Sequence, residues 1–411
     1  LVRVDGEVRF VDAVLPNELV AITWEGRAKP RALSLKVLEN SPLRVREPCA
    51  YASSCGGCDW LYIEPAAQAE FHRGFVEDLL SRALKTQLAV EVRRPTEPLA
   101  YRSRARLHFT THGRRVALGY FGERSHRVVA VESCAVLEDG LFAAAREVAT
   151  AFAEAASNQA DLEGEISVAW GVRASQEKAA VFDITLTRDP SGAAMGRLDQ
   201  LVTAKYAGAR VSLSGAATPM VIGDPRPVQR AADGLPLWIA AGGFAQASDA
   251  GAIALSNTVV ELAAPAGKTV FELHAGSGTL SVGLAKDAAS FSSVESASAA
   301  VQCAKENFTL RGLSGKLRVS DADALAIPSS LDLVVLDPPR QGARKVCENL
   351  ARARPKKIVY VSCDPATLAR DLEVLGAANY VAERVVTVEL FPQTSHVETV
   401  VSLTRPSRGK A

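Results

Sequence analysis

The residue with the most chemical consequence is Cys363, in the run KKIVYVSCDPATLARD. The apolar residues before it read as a strand, and a proline and a helical stretch follow. The thiol should therefore leave a strand beside a helix N-terminus, a setting that predicts a lowered thiol pKa. One strand away, LDPPR supplies Asp337, with Pro338 and Pro339 holding the chain extended. A thiolate at such an edge has a use: C5 of a pyrimidine is a poor nucleophile until a thiolate adds to C6. A third group lies in FELHAGSGT, where Gly276 and Gly278 fall in a strand-to-helix turn. Glycine there lets the backbone approach a ligand, and the helix start beyond offers free N–H groups. Glu295, ending the next strand, is placed to accept from both hydroxyls of a ribose. The turn lacks a full GxGxxG and a phosphate-gripping GKS/T, so S-adenosylmethionine fits it better than NAD or ATP. Enzymes that methylate exocyclic amines commonly carry an aromatic where Arg340 stands, which counts against amine methylation.

A second constellation is Cys49-x5-Cys55-Gly-Gly-Cys58. A CxxC with internal glycines wraps a loop around one soft metal centre, and Cys134 in VESCAVL could add a fourth thiolate. Zinc and an iron–sulfur cluster both accept four thiolates, and spacing does not choose between them. Seven cysteines, an odd number, in a chain without an export signal argue against a disulfide framework. Cys303 and Cys347 sit among apolar helical neighbours and read as packing. Arginines crowd one stretch: Arg93, Arg94, Arg102, Arg104, Arg106, Arg114, Arg115, Arg124 and Arg127, against Glu97 and Glu123 alone. Tyr101, Phe109, Tyr120 and Phe121 interleave with them. That mixture suits phosphate contact and base stacking, and equally a solvated charged face.

The elements that must position these groups follow from length and pattern. A chain of 411 residues implies two to four domains, and 48% hydrophobic residues excludes wholesale disorder. With 47 basic against 46 acidic residues the net charge is +1, which excludes bulk attraction to nucleic acid but not a local stripe. No apolar run approaches the ~18 residues of a membrane span, and no signal peptide is evident, so a cytoplasmic protein without membrane contact is expected. The first residue is Leu1 rather than Met, which implies a native start further upstream. Residues 1–45 alternate apolar and polar positions, predicting a small antiparallel β-barrel. Residues 46–62 form the cysteine loop, 66–86 a helix, and 90–240 a mostly strand-like region with an Ala-rich helix at 139–157. After 250, strands at 269–273, 291–295, 331–337 and 357–363 alternate with helices such as 296–312 and 365–377, and strands at 385–391 and 397–404 close the chain. This rhythm predicts a doubly wound, mostly parallel sheet with ligands beyond its strand C-termini.

These residues together resemble the SAM-dependent RNA 5-methyluridine methyltransferases, in particular the branch with an iron–sulfur cluster and an N-terminal TRAM domain. The resemblance covers nearly the whole chain: the cysteine motif, YRSRARL at 101–107, FAQAS at 244–248, the glycine turn, LDPPR, YVSCDPATLARD and FPQTSHVET. It implies a multidomain fold: an OB-like TRAM barrel at 1–45, an α+β RNA-binding region at 46–240 and a Rossmann-like α/β methyltransferase domain at 241–411. It implies a 4Fe-4S cluster rather than zinc on Cys49, Cys55, Cys58 and Cys134. Cofactor contacts carry over to Gln246, His274, Thr279, Glu295, Asp323 and Asp337, beside Gly276 and Gly278. The nucleophile falls on Cys363 and the proton-abstracting base on Glu398, which the residues alone present only as a strand acid. RNA contact is thereby favoured for Arg102, Arg104, Arg106, Arg114, Arg115, Arg124 and Arg127. The expected substrate is a uridine of structured RNA, 23S rRNA ahead of tRNA, for a monomeric enzyme. Cytosine-C5 methylation is a remoter reading, since LDPPR lacks the second cysteine that chemistry usually has; a non-catalytic iron–sulfur RNA-binding protein is another. Glu272, His274, Ser248 and Asp364 depart from the family pattern. Asp364 should oppose ionisation of Cys363 unless Arg340 or Arg370 offsets it.

Overall fold

The computed structural model describes residues 2–4, 7–9, 11–25, 31–154, 161–213 and 218–406. Its organising element is an eight-stranded mixed sheet. Five parallel strands, Lys316–Val319, Ser290–Glu295, Thr269–Leu273, Leu333–Leu336 and Lys357–Ser362, lie side by side in that order. The last strand of the chain, Glu398–Thr404, pairs antiparallel with Lys357–Ser362, and Val381–Val388 pairs antiparallel with it in turn. The central strands read as unbroken apolar runs because both faces are covered, as parallel sheets require. Val334, Leu336, Ile358 and Tyr360 face one core, and Leu333, Val335, Val359 and Val361 face the other. Helices Arg344–Ala353 and Pro365–Ala377 cover the first face, through Val346, Leu350, Leu368 and Leu372. Asp249–Ala263 and Ser298–Leu310 cover the second, through Leu255, Val259 and Phe308.

Two elements from within the 46–240 span join this unit. Helix Pro65–Leu84 packs Val76 and Leu80 into the first core, and strand Val90–Arg93 adds to the sheet edge, parallel to Val381–Val388. The remaining central region is a seven-stranded sheet built around Glu163–Val172, Lys178–Leu186 and Arg104–His112, with helices Leu141–Glu154 and Gly192–Lys205 packed on it. Leu141–Glu154 is the Ala-rich helix expected at 139–157, whereas Gly192–Lys205 falls in the span expected to be mostly strand-like, and Asp249–Ala263 is a further helix that no expectation covered. At the N-terminus, the described residues form two antiparallel ribbons, Val2–Val4 with Glu7–Arg9 and Leu19–Glu25 with Arg31–Glu39, each a separate two-stranded sheet. Part of the barrel expected at 1–45 lies outside the described residues. No helix among the described residues is long and apolar enough to cross a membrane.

Candidate active site

The sheet register brings the sequence-predicted groups to one edge. Leu336 pairs with Tyr360, so Asp337 leaves its strand one residue later, level with the end of the Cys363 strand. Ser362 pairs with Thr399 in the antiparallel direction, which sets Cys363 beside Glu398 at the start of the final strand. The parallel strands end at this edge while the final strand begins there, so residues 61 and 35 positions apart in sequence meet. Cys363 is half-buried, and Glu398 is 3% exposed.

Burial dominates the electrostatics. It pushes the Cys363 thiol up to about 11; Glu398 and Asp337 add to the rise and Arg340 opposes it. The expected lowering by the helix N-terminus is not what this environment produces, because desolvation and two carboxyls outweigh it. Asp337 is raised to about 7 by burial, and Glu398 well above the carboxylate range by burial and by Asp337. Asp364 caps helix Pro365–Ala377, accepting from Ala366 N and Thr367 N at 2.9 Å each. Of the two proposed offsetting cations, Arg340 faces the thiol, whereas Arg370 is engaged with Asp371 and the Gln341 carbonyl. His396 stands 3.4 Å from Arg340 and joins the group unannounced by sequence. The only signal for it was its place two residues before Glu398.

The glycine turn sits at the same edge. Gly276 and Gly278 have φ of 54° and 93°, and His274 a φ of 59°, so the chain here adopts the left-handed conformation three times within five residues. A Cβ on Gly276 would meet no described atom within 4 Å. Glu295 receives Gly276 N at 3.1 Å and Ala297 N at 2.9 Å, which fixes its carboxylate against the turn. Glu272 lies beneath, its pKa raised to about 8 by burial, and accepts from Ser281 Oγ at 2.5 Å. His274 is kept toward its neutral form by burial, with Glu295, Asp323 and Asp321 acting against that. Two buried polar atoms, Gln246 Oε1 and His274 Nε2, find no partner among the described residues. Burying such atoms unpaired costs free energy that a polar ligand would recover. The donors, acceptors and open glycine surface therefore fit an adenosine-bearing cofactor. Thr279 is half-buried at the head of the turn and Asp323 is exposed. Ser248, a departure from the family pattern, caps helix Asp249–Ala263 through Gly251 N.

The four early cysteines line one small pocket, together with Tyr51, Leu61, Arg102, Tyr120 and Val136 among others. Gly56 permits the loop to lie against strand Arg115–Phe121: it donates to Phe121 O at 2.9 Å, and a Cβ would sit equally close to that oxygen. Burial and the neighbouring thiols push Cys58 up to about 12 and raise Cys55 as well. Among the described residues, no three His, Cys, Asp or Glu side chains are grouped to hold a metal ion. Cys303 and Cys347 are buried in the core, as expected.

The arginine stretch does not form one face. Arg104 is half-buried, donates to Gly243 O at 3.2 Å and is lowered to about 10 by desolvation; Arg102 lines the cysteine pocket. Arg93 pairs with Glu261, Arg94 with Glu70, Arg106 with Glu165 and Arg124 with Asp12. Arg114, Arg115 and Arg127 are exposed.

With this geometry established, the chain can be set beside known proteins. The tRNA (uracil-5-)-methyltransferase family model matches residues 324–406, and the methyltransferase small domain model matches 235–356. The 23S rRNA (uracil(1939)-C(5))-methyltransferase RlmD of Chromohalobacter salexigens is 32% identical, across 99% of this chain and 86% of that protein. The chain belongs to the SAM-dependent RNA uracil-C5 methyltransferases. An RNA methyltransferase of Gloeobacter violaceus is similar at 30% identity over 98% of this chain and 92% of that protein. The fold matches the tRNA (uracil-54, C5)-methyltransferase of Pyrococcus abyssi, in complex with S-adenosyl-L-homocysteine, with a TM-score of 0.73 and 22% identity over 95% of this chain and 93% of that one.

Proposed function

We propose that this protein methylates C5 of one uridine in 23S rRNA, with Cys363 as nucleophile and Glu398 as base. The observation that carries this reading is the register that sets Cys363, Asp337 and Glu398 at one sheet edge beside the glycine turn. The rRNA target is favoured over tRNA by several relatives of about 31–32% identity named for uracil 1939 of 23S rRNA.

Gln246, His274, Gly276, Gly278, Thr279, Glu295 and Asp323 would hold S-adenosylmethionine, which supplies an electrophilic methyl group when bound. Cys363 as thiolate bonds to C6 of an unstacked uracil, and the displaced electron pair makes C5 nucleophilic. After C5 has accepted the methyl group, Glu398 removes the C5 proton; the electron pair restores the C5=C6 double bond as the C6–S bond breaks and the thiolate leaves. A buried carboxylate is a stronger base than an exposed one, so the raised pKa of Glu398 suits that step. Asp337 when protonated can donate to the uracil edge, and Arg340 offsets charge on sulfur.

The family resemblance favours a 4Fe-4S cluster over zinc on Cys49, Cys55, Cys58 and Cys134, and the lining of one pocket by all four cysteines supports a shared site. Such a cluster would cross-link the 49–58 loop to the central sheet. The N-terminal ribbons are compatible with a TRAM barrel over 1–45, ahead of a central region to 240 and a catalytic domain from 241. The exposed Arg114, Arg115 and Arg127 are the best placed of the arginines to meet RNA phosphates. We read the enzyme as a cytoplasmic monomer. Nucleoside mass spectrometry of 23S rRNA from cells with and without the protein tests the function: one 5-methyluridine should vanish with the gene, and an unchanged map would refute the reading.

A further inference from the structure

The segment that delivers Glu398 is held by a distant part of the chain. Between strand Val381–Val388 and Glu398 the chain runs through FPQTSHV, and consecutive residues of this loop bond to residues 59–101. Tyr101 Oη donates to Pro392 O at 3.1 Å. Gln393 N donates to Gln68 Oε1 at 2.8 Å, and Gln68 Nε2 donates back to Gln393 Oε1 at 3.1 Å. Trp60 N donates to Gln393 O at 3.0 Å. His72 Nε2 lies 3.1 Å from Thr394 O, which can only accept, while its Nδ1 faces Glu389 at 2.8 Å. Ser395 N donates to Asp59 Oδ1 at 2.8 Å. Gln393 itself has a φ of 70°, a left-handed conformation that a non-glycine residue keeps only when its surroundings hold it there.

We propose that Gln68 and Asp59 are positioning residues for Glu398: they fix the 392–395 loop so that the carboxyl at its end reaches C5 of the target uracil. The inference rests on the mechanism above and names which part of the chain enforces its last proton transfer. Gln68 lies on helix Pro65–Leu84, and Asp59 directly follows Cys58. The cysteine loop and the first helix thus brace the base, while Cys363 is carried by the sheet itself. Loosening the brace should therefore spare thiolate addition and methyl transfer and slow only C5 proton removal.

The experiment uses the full chain with target rRNA carrying tritium at uridine C5. Under single turnover, tritium release reports proton removal, and denaturing gels report the covalent RNA–protein adduct. Gln68→Leu removes both amide bonds to Gln393, and Asp59→Ala removes the bond to Ser395. Each should slow tritium release by about tenfold or more, the scale of an ångström-level misplacement, while adduct accumulates. Asp59→Asn keeps the accepting oxygen and should restore release. Asp59 is exposed, so this pair remains informative if Gln68→Leu fails to fold. S-adenosylhomocysteine affinity by calorimetry should match that of the native chain. Loss of adduct and release in equal proportion, or native release in Asp59→Ala, would overturn the proposal. Glu398→Gln is the control: if it also fails to accumulate adduct, the mechanism on which the inference rests is wrong; if it accumulates adduct while the brace variants do not, the bracing role alone falls.

Discussion

Cys363 stands in a resting site built to keep its proton. Desolvation, Glu398 and Asp337 hold the thiol at about 11, and Arg340 is the group that lowers it. A thiol held protonated at neutral pH is a weak nucleophile, because the thiolate is the reactive form. Two consequences can be measured by mapping iodoacetamide label on the Cys363 peptide. Labelling should rise steadily between about pH 7 and 10, because each unit of pH below the thiol pKa costs about tenfold in thiolate. Arg340→Gln removes the offsetting cation, raises the pKa further and should slow labelling at pH 8 several-fold; faster labelling would show that Arg340 does not face the sulfur. The Asp364 carboxylate caps the following helix, and the carboxyls that raise the thiol are Glu398 and Asp337.

At the scale of elements, the glycine turn does the most with the fewest atoms. Gly278, at φ 93°, already has Ala304 within 3.4 Å of where a Cβ would stand. Gly278→Val should cost ~1–2 kcal/mol of backbone strain and weaken S-adenosylhomocysteine binding by about tenfold in calorimetry, with RNA affinity unchanged. Affinity equal to the native chain would contradict the turn's assignment. This turn, the strand ends at Asp337 and Cys363 and the alternation after residue 250 were all legible in the sequence, because each is local: a period, a breaker, a residue type at a strand end. Glu398 was legible only through family resemblance. It reaches the site because the last strand runs antiparallel, and direction is not written in an apolar run. The same limit hid the partner of strand Val90–Arg93, a strand almost 300 positions later. The arginine stretch failed differently: its composition was plain, but composition does not say which guanidiniums are already paired with Glu261, Glu70 or Glu165.

For the whole molecule, near-neutral net charge leaves RNA binding to a few exposed cations rather than to the overall field. Arg114→Glu with Arg115→Glu should weaken RNA binding and reduce the slope of log K against log salt by about two, as loss of two phosphate contacts requires; an unchanged slope would take this hairpin out of the RNA surface. The cysteine loop, the first helix and the C-terminal sheet are bonded into one unit around the 392–395 loop. The central claim is that Cys363 attacks the uracil. It is tested most directly by comparing the native chain with Cys363→Ala for 5-methyluridine formation on 23S rRNA from cells lacking the protein, with S-adenosylhomocysteine binding measured on both. The account predicts 5-methyluridine with the native chain, none with Cys363→Ala, and equal cofactor affinity; methylation by Cys363→Ala at the native rate would contradict it.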